Sequence, residues 1–257
     1  MKNVNNIDTI FIGKHIQYFE TLPSTNEFAL SLVSKSKPTE GTVILTHNQT
    51  LGKGQNGSSW IMTPDKNIAL SLILYPKFIQ VREQFILSQA VAISVCNSIT
   101  KYVNLPVKIK WPNDIYINNK KIAGILIQNS ISGASIQHSI IGIGINVNQQ
   151  SFADDLPHAG SIFQFSNKEI PLDEFLCSLC VQLEQQYFKL RASDYANIRK
   201  QYLSHLMRYL EESEFLNIKN QQLFNGVIVG TDTDGKLLIE SKTGIHSFNI
   251  KEVQMIL

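Results

Sequence analysis

Two lysines, an asparagine and an aspartate crowd into Lys110-Trp111-Pro112-Asn113-Asp114-Ile115-Tyr116 and the nearby Lys121-Ile122-Ala123-Gly124-Ile125-Leu126. Strand ends rarely need so many different polar groups. Fixed cations can hold a phosphate and polarise a carboxylate, and a carboxylate can orient or deprotonate an incoming amine. Gly52-Lys53-Gly54-Gln55-Asn56-Gly57 is a second cluster: a lysine-bearing glycine loop whose amides could wrap an anion. It satisfies G-x-G-x-x-G on paper. However, Ser58-Ser59-Trp60 leads to a turn and a strand, with no helix and no acidic residue about 20 positions on, so the dinucleotide reading fails on context. The G-K-[ST] ending of a Walker A loop is also missing. Trp60 could stack on a planar base or simply pack in a core. Ser24-Thr25-Asn26-Glu27 opens an apolar run, where Ser24 and Asn26 either cap a helix or present themselves to a polar ligand.

These residues need scaffolding, and the hydrophobic pattern supplies it. A helix is expected from Ser24 to about Val33, a buried one over 81–102, and two more over 172–190 and from Ser193, as cap, to about Met207. Strands are expected at 42–46, at 67–75 with Ile68, Leu70, Leu72 and Leu74 on one face, and at 107–111, stopped by Pro112. Ile115–Ile117 and Ile122–Ile127 flank turn-forming residues Asn118–Lys121, and 135–147 follows a turn at Gly133. Closely joined strands argue for an antiparallel meander. In 141–148, Gly142 and Gly144 alternate along an apolar strand and share a face with Asn146, leaving that face bare. Glu211–Glu214 interrupts the apolar pattern. Beyond it, short strands near 226–229, 237–240 and 247–250 suggest a small β-barrel, too small to be stable undocked. The expected division is 1–207 and 208–257.

At 257 residues and a net charge of +2, the chain has a sizeable core and no electrostatic signature of nucleic acid or an anionic membrane as its main partner. No apolar run reaches the length of a membrane span, and Met1–Asp8 does not read as a signal peptide. Three cysteines favour a cytosolic setting. Cys177-x-x-Cys180 falls on the apolar face of a helix, with no second Cys or His pair at zinc spacing, so it reads as core packing.

Taken together, Ser24-Thr25-Asn26, Gln49, the Gly52–Gly57 loop with Trp60, Lys110-Trp111-Pro112-Asn113-Asp114, Lys121-Ile122-Ala123-Gly124 and Gly142–Val147 resemble the biotin protein ligases, in that family's order and over nearly the whole chain. The resemblance implies an α+β fold related to class II aminoacyl-tRNA synthetases, a mixed, mostly antiparallel sheet flanked by helices, with a small Src-homology-3-like C-terminal barrel. It implies activation of biotin by ATP to biotinyl-5′-AMP, then transfer to a lysine of a biotin carboxyl carrier protein, with magnesium arriving on ATP. By resemblance, Lys121 bridges carboxylate and phosphate, with Lys110 and Asp114 completing the catalytic set. Ser24, Thr25, Asn26, Gln49, Lys53, Gly54, Gln55, Lys121 and Gly124 hold biotin. Lys53, Gly54, Gln55, Trp60, Lys110, Asn113 and Asn146 hold the nucleotide.

The chain departs from the family's arginines at Gln55, Asn56 and Ser58, which implies weaker retention of biotinyl-AMP and more reliance on Lys53 and loop amides. With Ser24 so near the start there is no room for the DNA-binding domain some relatives carry, so a single-function ligase is expected. A homodimer remains open, since relatives occur as monomers and dimers. The rival readings are a lipoate–protein ligase of the same fold and a non-catalytic biotin- or nucleotide-binding regulator.

Overall fold

Alternating and continuous apolar runs assemble into a seven-stranded sheet between two layers of helix. The computed structural model describes residues 7–256; Met1–Asn6, and with them most of the signal-peptide reading, lie outside the described residues. In chain order the first half comprises β1 (Ile16–Phe19), α1 (Thr25–Lys35), β2 (Val43–Thr46), β3 (Gly52–Lys53), β4 (Ser59–Trp60), β5 (Ile68–Leu74), α2 (Phe85–Thr100), β6 (Val107–Lys110) and β7 (Asp114–Ile117). Next come β8 (Lys120–Ser132), β9 (Ser135–Ile145), α3 (Phe163–Ser166), α4 (Leu172–Arg191) and α5 (Tyr195–His205). The last five strands are β10 (Glu212–Asn217), β11 (Gln222–Thr231), β12 (Leu237–Ser241), β13 (Gly244–Phe248) and β14 (Val253–Met255).

The large sheet runs β1-β2-β5-β9-β8-β7-β6, antiparallel except where β1 pairs with β2. Strands β6 to β9 form the expected meander. Asn118 takes a positive φ of 52° in the turn between β7 and β8, a conformation asparagine tolerates better than most residues.

One face of the sheet is continuous core. Ile68, Leu70, Leu72 and Leu74 point into it with Ile141, Ile143 and Ile145, against α2 and α4. The other face carries α1, which packs on β2, β5 and β9 through Ala29, Ile44, Ile73 and Ile140. β5 is therefore buried on both sides. Helix α4 also ties down the segment before β1: the Glu184 carboxylate accepts backbone N–H bonds from Ile10, Phe11 and Ile12 at 2.7, 2.7 and 3.0 Å.

The tail is a five-stranded antiparallel sheet, β13-β12-β11-β10-β14. It shares one hydrophobic core with the main body through Phe215, Ile228, Leu237, Ile239 and Val253. Trp111 Nε1 donates to Gly235 O at 2.9 Å, and Phe85 packs so closely on Gly235 that a Cβ there would strike its ring.

Three expectations need correction. The helix over 81–102 is a 3-10 turn at Val81–Glu83 followed by the shorter α2. Ser193 does not cap α5; it sits at φ 58°, and Asp194 occupies the cap position without a side-chain bond to the helix backbone. Glu211–Glu214 is no interruption of structure, because Glu212 to Glu214 begin β10, with Ser213 buried and its glutamate neighbours exposed. A strand with one wet face tolerates such alternating charge.

Candidate active site

Where β5, β9 and β8 emerge from beneath α1, small residues leave much of the sheet face bare. Ala69, Gly142, Gly144 and Gly124 form the floor of a cavity of about 230 Å³. Three walls rise around it: the start of α1, the β3–β4 hairpin, and the Asn113–Asp114 corner with Lys121. The two β9 glycines are required by what lies on them. A Cβ at Gly142 would strike the Asn26 amide, and one at Gly144 would strike the Trp60 indole.

The α1 wall is polar. Ser24 caps the helix, accepting from Glu27 N at 3.4 Å. Thr25 N donates to Gln49 Oε1 at 2.9 Å, which fixes the orientation of the glutamine amide and leaves its Nε2 as a donor. Asn26 Nδ2 donates to Leu126 O at 3.3 Å and to Gln128 Oε1 at 3.1 Å, bridging the helix start to β8.

The opposite wall holds an ion pair. Lys121 Nζ is 2.7 Å from Asp114 Oδ1, with both side chains about a quarter to a third exposed. The contact lies off the hydrogen-bond direction, so Asp114 Oδ1 has charge compensation without a well-aligned donor. Lys121 Nζ also lies 5.9 Å from the centre of the Trp60 ring, within cation–π range.

A bulge aims Lys121. Asp114 pairs with Gly124 but Tyr116 with Lys121, so β8 has one residue too many between them. Without it, Lys121 and Gly124 would point to opposite faces; with it, both face the cavity while Ile122 and Ala123 are fully buried in the core. Asn113 is held by its own amide, Nδ2 donating to Ile125 O at 2.6 Å.

The glycine loop is folded on itself. Residues Gln55–Gly57 form a 3-10 turn, Gly54 N donates to Ser58 O at 2.7 Å, and Ser58 N and Oγ both donate to Gln55 O. Those amides are occupied within the loop. Lys53 pairs with Glu27 on the first turn of α1. The expectation for the Asn56 side chain falls outside the described residues. Trp60 sits half-buried against Gly144, its indole N–H buried without a hydrogen-bond partner.

Of the sequence-derived residues, Ser24, Thr25, Asn26, Gln49, Lys53, Gly54, Gln55, Trp60, Asn113, Asp114, Lys121 and Gly124 line this one cavity. Lys110 and Asn146 do not. Lys110 lies over the Tyr116 ring at 5.3 Å and lines a separate, largely apolar cavity of about 380 Å³ against Phe215, Ile218 and Leu237 of the C-terminal sheet. Burial lowers its pKa, opposed by Asp114 and assisted by Lys121 and Arg208. Burial and Asp114 together push the Tyr116 phenol up to about 12. Asn146 lies past the end of β9, buried, its Nδ2 donating to Gly160 O at 2.9 Å and its Oδ1 unpartnered. Sequence reasoning passed over Ser71 and Gln128, which grip the α1 wall from below. The signal available was a lone serine inside the otherwise apolar Ile68–Leu74 strand.

The chain matches the biotin/lipoate A/B protein ligase family over residues 18–146. It is 31% identical to the bifunctional ligase/repressor BirA of Bacillus spizizenii, over 97% of this chain and 76% of that protein. It is 27% identical to the biotin–[acetyl-CoA-carboxylase] ligase of Paracoccus denitrificans, over 82% of this chain and 88% of that one. In fold it is similar to the Aquifex aeolicus biotin protein ligase solved with biotin and ATP, at a TM-score of 0.79 and 24% identity, covering 95% of this chain and 99% of that one. The chain belongs to the biotin/lipoate A/B protein ligase family.

Proposed function

We propose that the chain is an ATP-dependent biotin protein ligase, acting on a lysine of a biotin carboxyl carrier protein. The observation that carries this reading is one cavity with a hydrogen-bonding wall at Ser24–Asn26 and Gln49 facing a Lys121–Asp114 pair. A cyclic urea, with a carbonyl and two N–H groups, suits the first wall; a dithiolane ring offers it nothing to bond, so lipoate is disfavoured. Names of relatives in two bacterial genera support the same activity.

In the first step the biotin carboxylate oxygen attacks the α-phosphorus of ATP. The bond to the β-phosphate breaks and pyrophosphate leaves. Two anions must meet, and Lys121 is the cation placed to neutralise them. In doing so it exchanges Asp114 for substrate oxygens. Asp114 is thereby released to take the proton of the carrier lysine as its nitrogen attacks the acyl carbon and AMP departs. Trp60 and Asn113 bound the nucleotide side, and Lys53 supplies phosphate charge once it leaves Glu27. Among the described residues Asp114 is the only carboxylate lining the cavity, and before substrate binds it pairs with Lys121. Among the described residues no group of carboxylate, histidine and cysteine side chains could cage a metal, which suits magnesium carried in as Mg-ATP. Residues 1–207 form the catalytic part and 208–257 the C-terminal domain on this reading. No helix among the described residues is long and apolar enough to cross a membrane.

The deciding experiment incubates the protein with Mg-ATP, a carrier domain and either biotin or lipoate, and weighs the carrier by mass spectrometry. Addition of a biotinyl group alone is expected. Lipoyl transfer, or no transfer with biotin bound, would replace this reading with one of the alternatives.

A further inference from the structure

Ser71 lies on β5, fully buried, directly beneath the α1 wall of the cavity. Its Oγ is 2.5 Å from Asn26 Oδ1 and 2.8 Å from Thr25 Oγ1. A hydroxyl carries one hydrogen, so the two contacts cannot both be donated by Ser71. The orientation of Asn26 decides the allocation. Its Nδ2 must face the Leu126 carbonyl, which only accepts, so Oδ1 must face Ser71. An amide oxygen only accepts as well, so the Ser71 hydrogen goes to Asn26. The contact with Thr25 is then made with the Thr25 hydrogen. The competing contact, Thr25 Oγ1 to Gln49 Oε1, is longer at 3.3 Å, and that oxygen already receives Thr25 N–H.

The consequence reaches the cavity. With its hydrogen turned down to Ser71, Thr25 Oγ1 can only accept from a molecule in the pocket. Ser24 Oγ accepts from the helix backbone and keeps its own hydrogen free to donate. The wall therefore has a fixed polarity, a donor at Ser24 and an acceptor at Thr25.

We propose that Ser71 is a positioning and specificity-determining residue that sets this polarity, and so selects a ligand with a carbonyl and an N–H side by side. This rests on the biotin reading of the site, whose ureido ring has that pattern. Ser71 touches no substrate. It acts through Thr25 and Asn26, and without it the Thr25 hydroxyl is free to rotate its hydrogen toward the ligand N–H.

The test is calorimetric titration of wild type and Ser71→Ala with biotin and with desthiobiotin, which keeps the urea and lacks the thioether, together with the KM for ATP. Ser71→Ala is expected to weaken both urea ligands by about tenfold, the scale of one misdirected buried hydrogen bond, with the ATP KM unmoved. Ser71→Cys, which keeps a weak donor in the same place, is expected to recover part of the loss and guards against a folding defect in the alanine variant. Biotin affinity within twofold of wild type in Ser71→Ala would overturn the assignment, as would an ATP KM that rises in parallel. Wild type that binds neither urea ligand would overturn the biotin reading and the Ser71 assignment with it.

Discussion

Asp114 and Lys121 meet at 2.7 Å only because the β8 bulge turns Lys121 onto the face that Asp114 already occupies. The pair joins the two ends of one short hairpin, so its geometry needs no distant part of the chain. It also holds a lysine ready in a cavity while the reacting anions are absent.

Replacing Lys121 with alanine removes the cation proposed to sit where carboxylate and phosphate meet. Biotin-dependent pyrophosphate release is expected to fall at least about a hundredfold, the usual scale for losing one preorganised electrostatic contact. Lys121→Arg, which keeps the charge but changes its shape, should retain more activity than alanine. A pyrophosphate assay checks both, and undiminished release from the alanine variant would remove Lys121 from the mechanism.

Gly144 lies under Trp60 with no room for a side chain. Gly144→Ala is expected to destabilise by about 1–3 kcal/mol through overpacking, lowering the melting temperature by several degrees. Because the neighbour is a single indole, Trp60→Ala in the same chain should relieve much of that loss. Additive effects of the two substitutions would show that the strain goes elsewhere.

Lys53 is tied to Glu27, and both are well exposed. Glu27→Gln should free the lysine for phosphate and lower the ATP KM, by up to about fivefold on the scale of an exposed pair. Steady-state kinetics against ATP checks this. An unchanged or raised KM would mean that Lys53 does not reach the nucleotide.

Burial lowers the pKa of His47 from its ordinary 6.5, against the opposing pull of Asp65 at 3.8 Å. The unfolded chain therefore takes up the proton first as pH falls. Stability should drop as pH goes below about 6.5 and keep dropping until the folded imidazole itself protonates. His138 shifts in the same direction, also by burial, so His47→Gln should flatten the slope without abolishing it. Melting temperatures of both proteins between pH 7 and pH 5 give the comparison; parallel curves would exclude His47 as a contributor.

The sequence was informative where one local rule governed. Capping chemistry at Ser24, the turn at Asn118 and the glycine alternation at Gly142 and Gly144 each placed an element correctly. So did the grouping of Lys121 with Asp114, since both lie on one hairpin. It was less informative where placement depends on partners far along the chain. Parity put Asn146 with the β9 glycines, but the strand ends at Ile145 and Asn146 turns to Gly160. Lys110 belongs by sequence to the same motif as Asp114 and pairs with it in register, yet it sits one strand further out, over the Tyr116 ring and against the C-terminal sheet. Ser71 stood out only as a lone serine in an apolar strand, and its role was not legible because it depends on a hydroxyl and an amide contributed by a distant helix.

The hydrogen bond from Trp111 to Gly235 gives the C-terminal sheet a second meaning. Trp111 sits within the very segment that carries Asn113 and Asp114, and the sheet it grips shares the main core. Tail and body should therefore melt as one cooperative unit, with a single calorimetric peak. Substitutions around Gly235, in the turn between β11 and β12, should then register as changes in turnover, because loosening that latch loosens the corner of the site it holds.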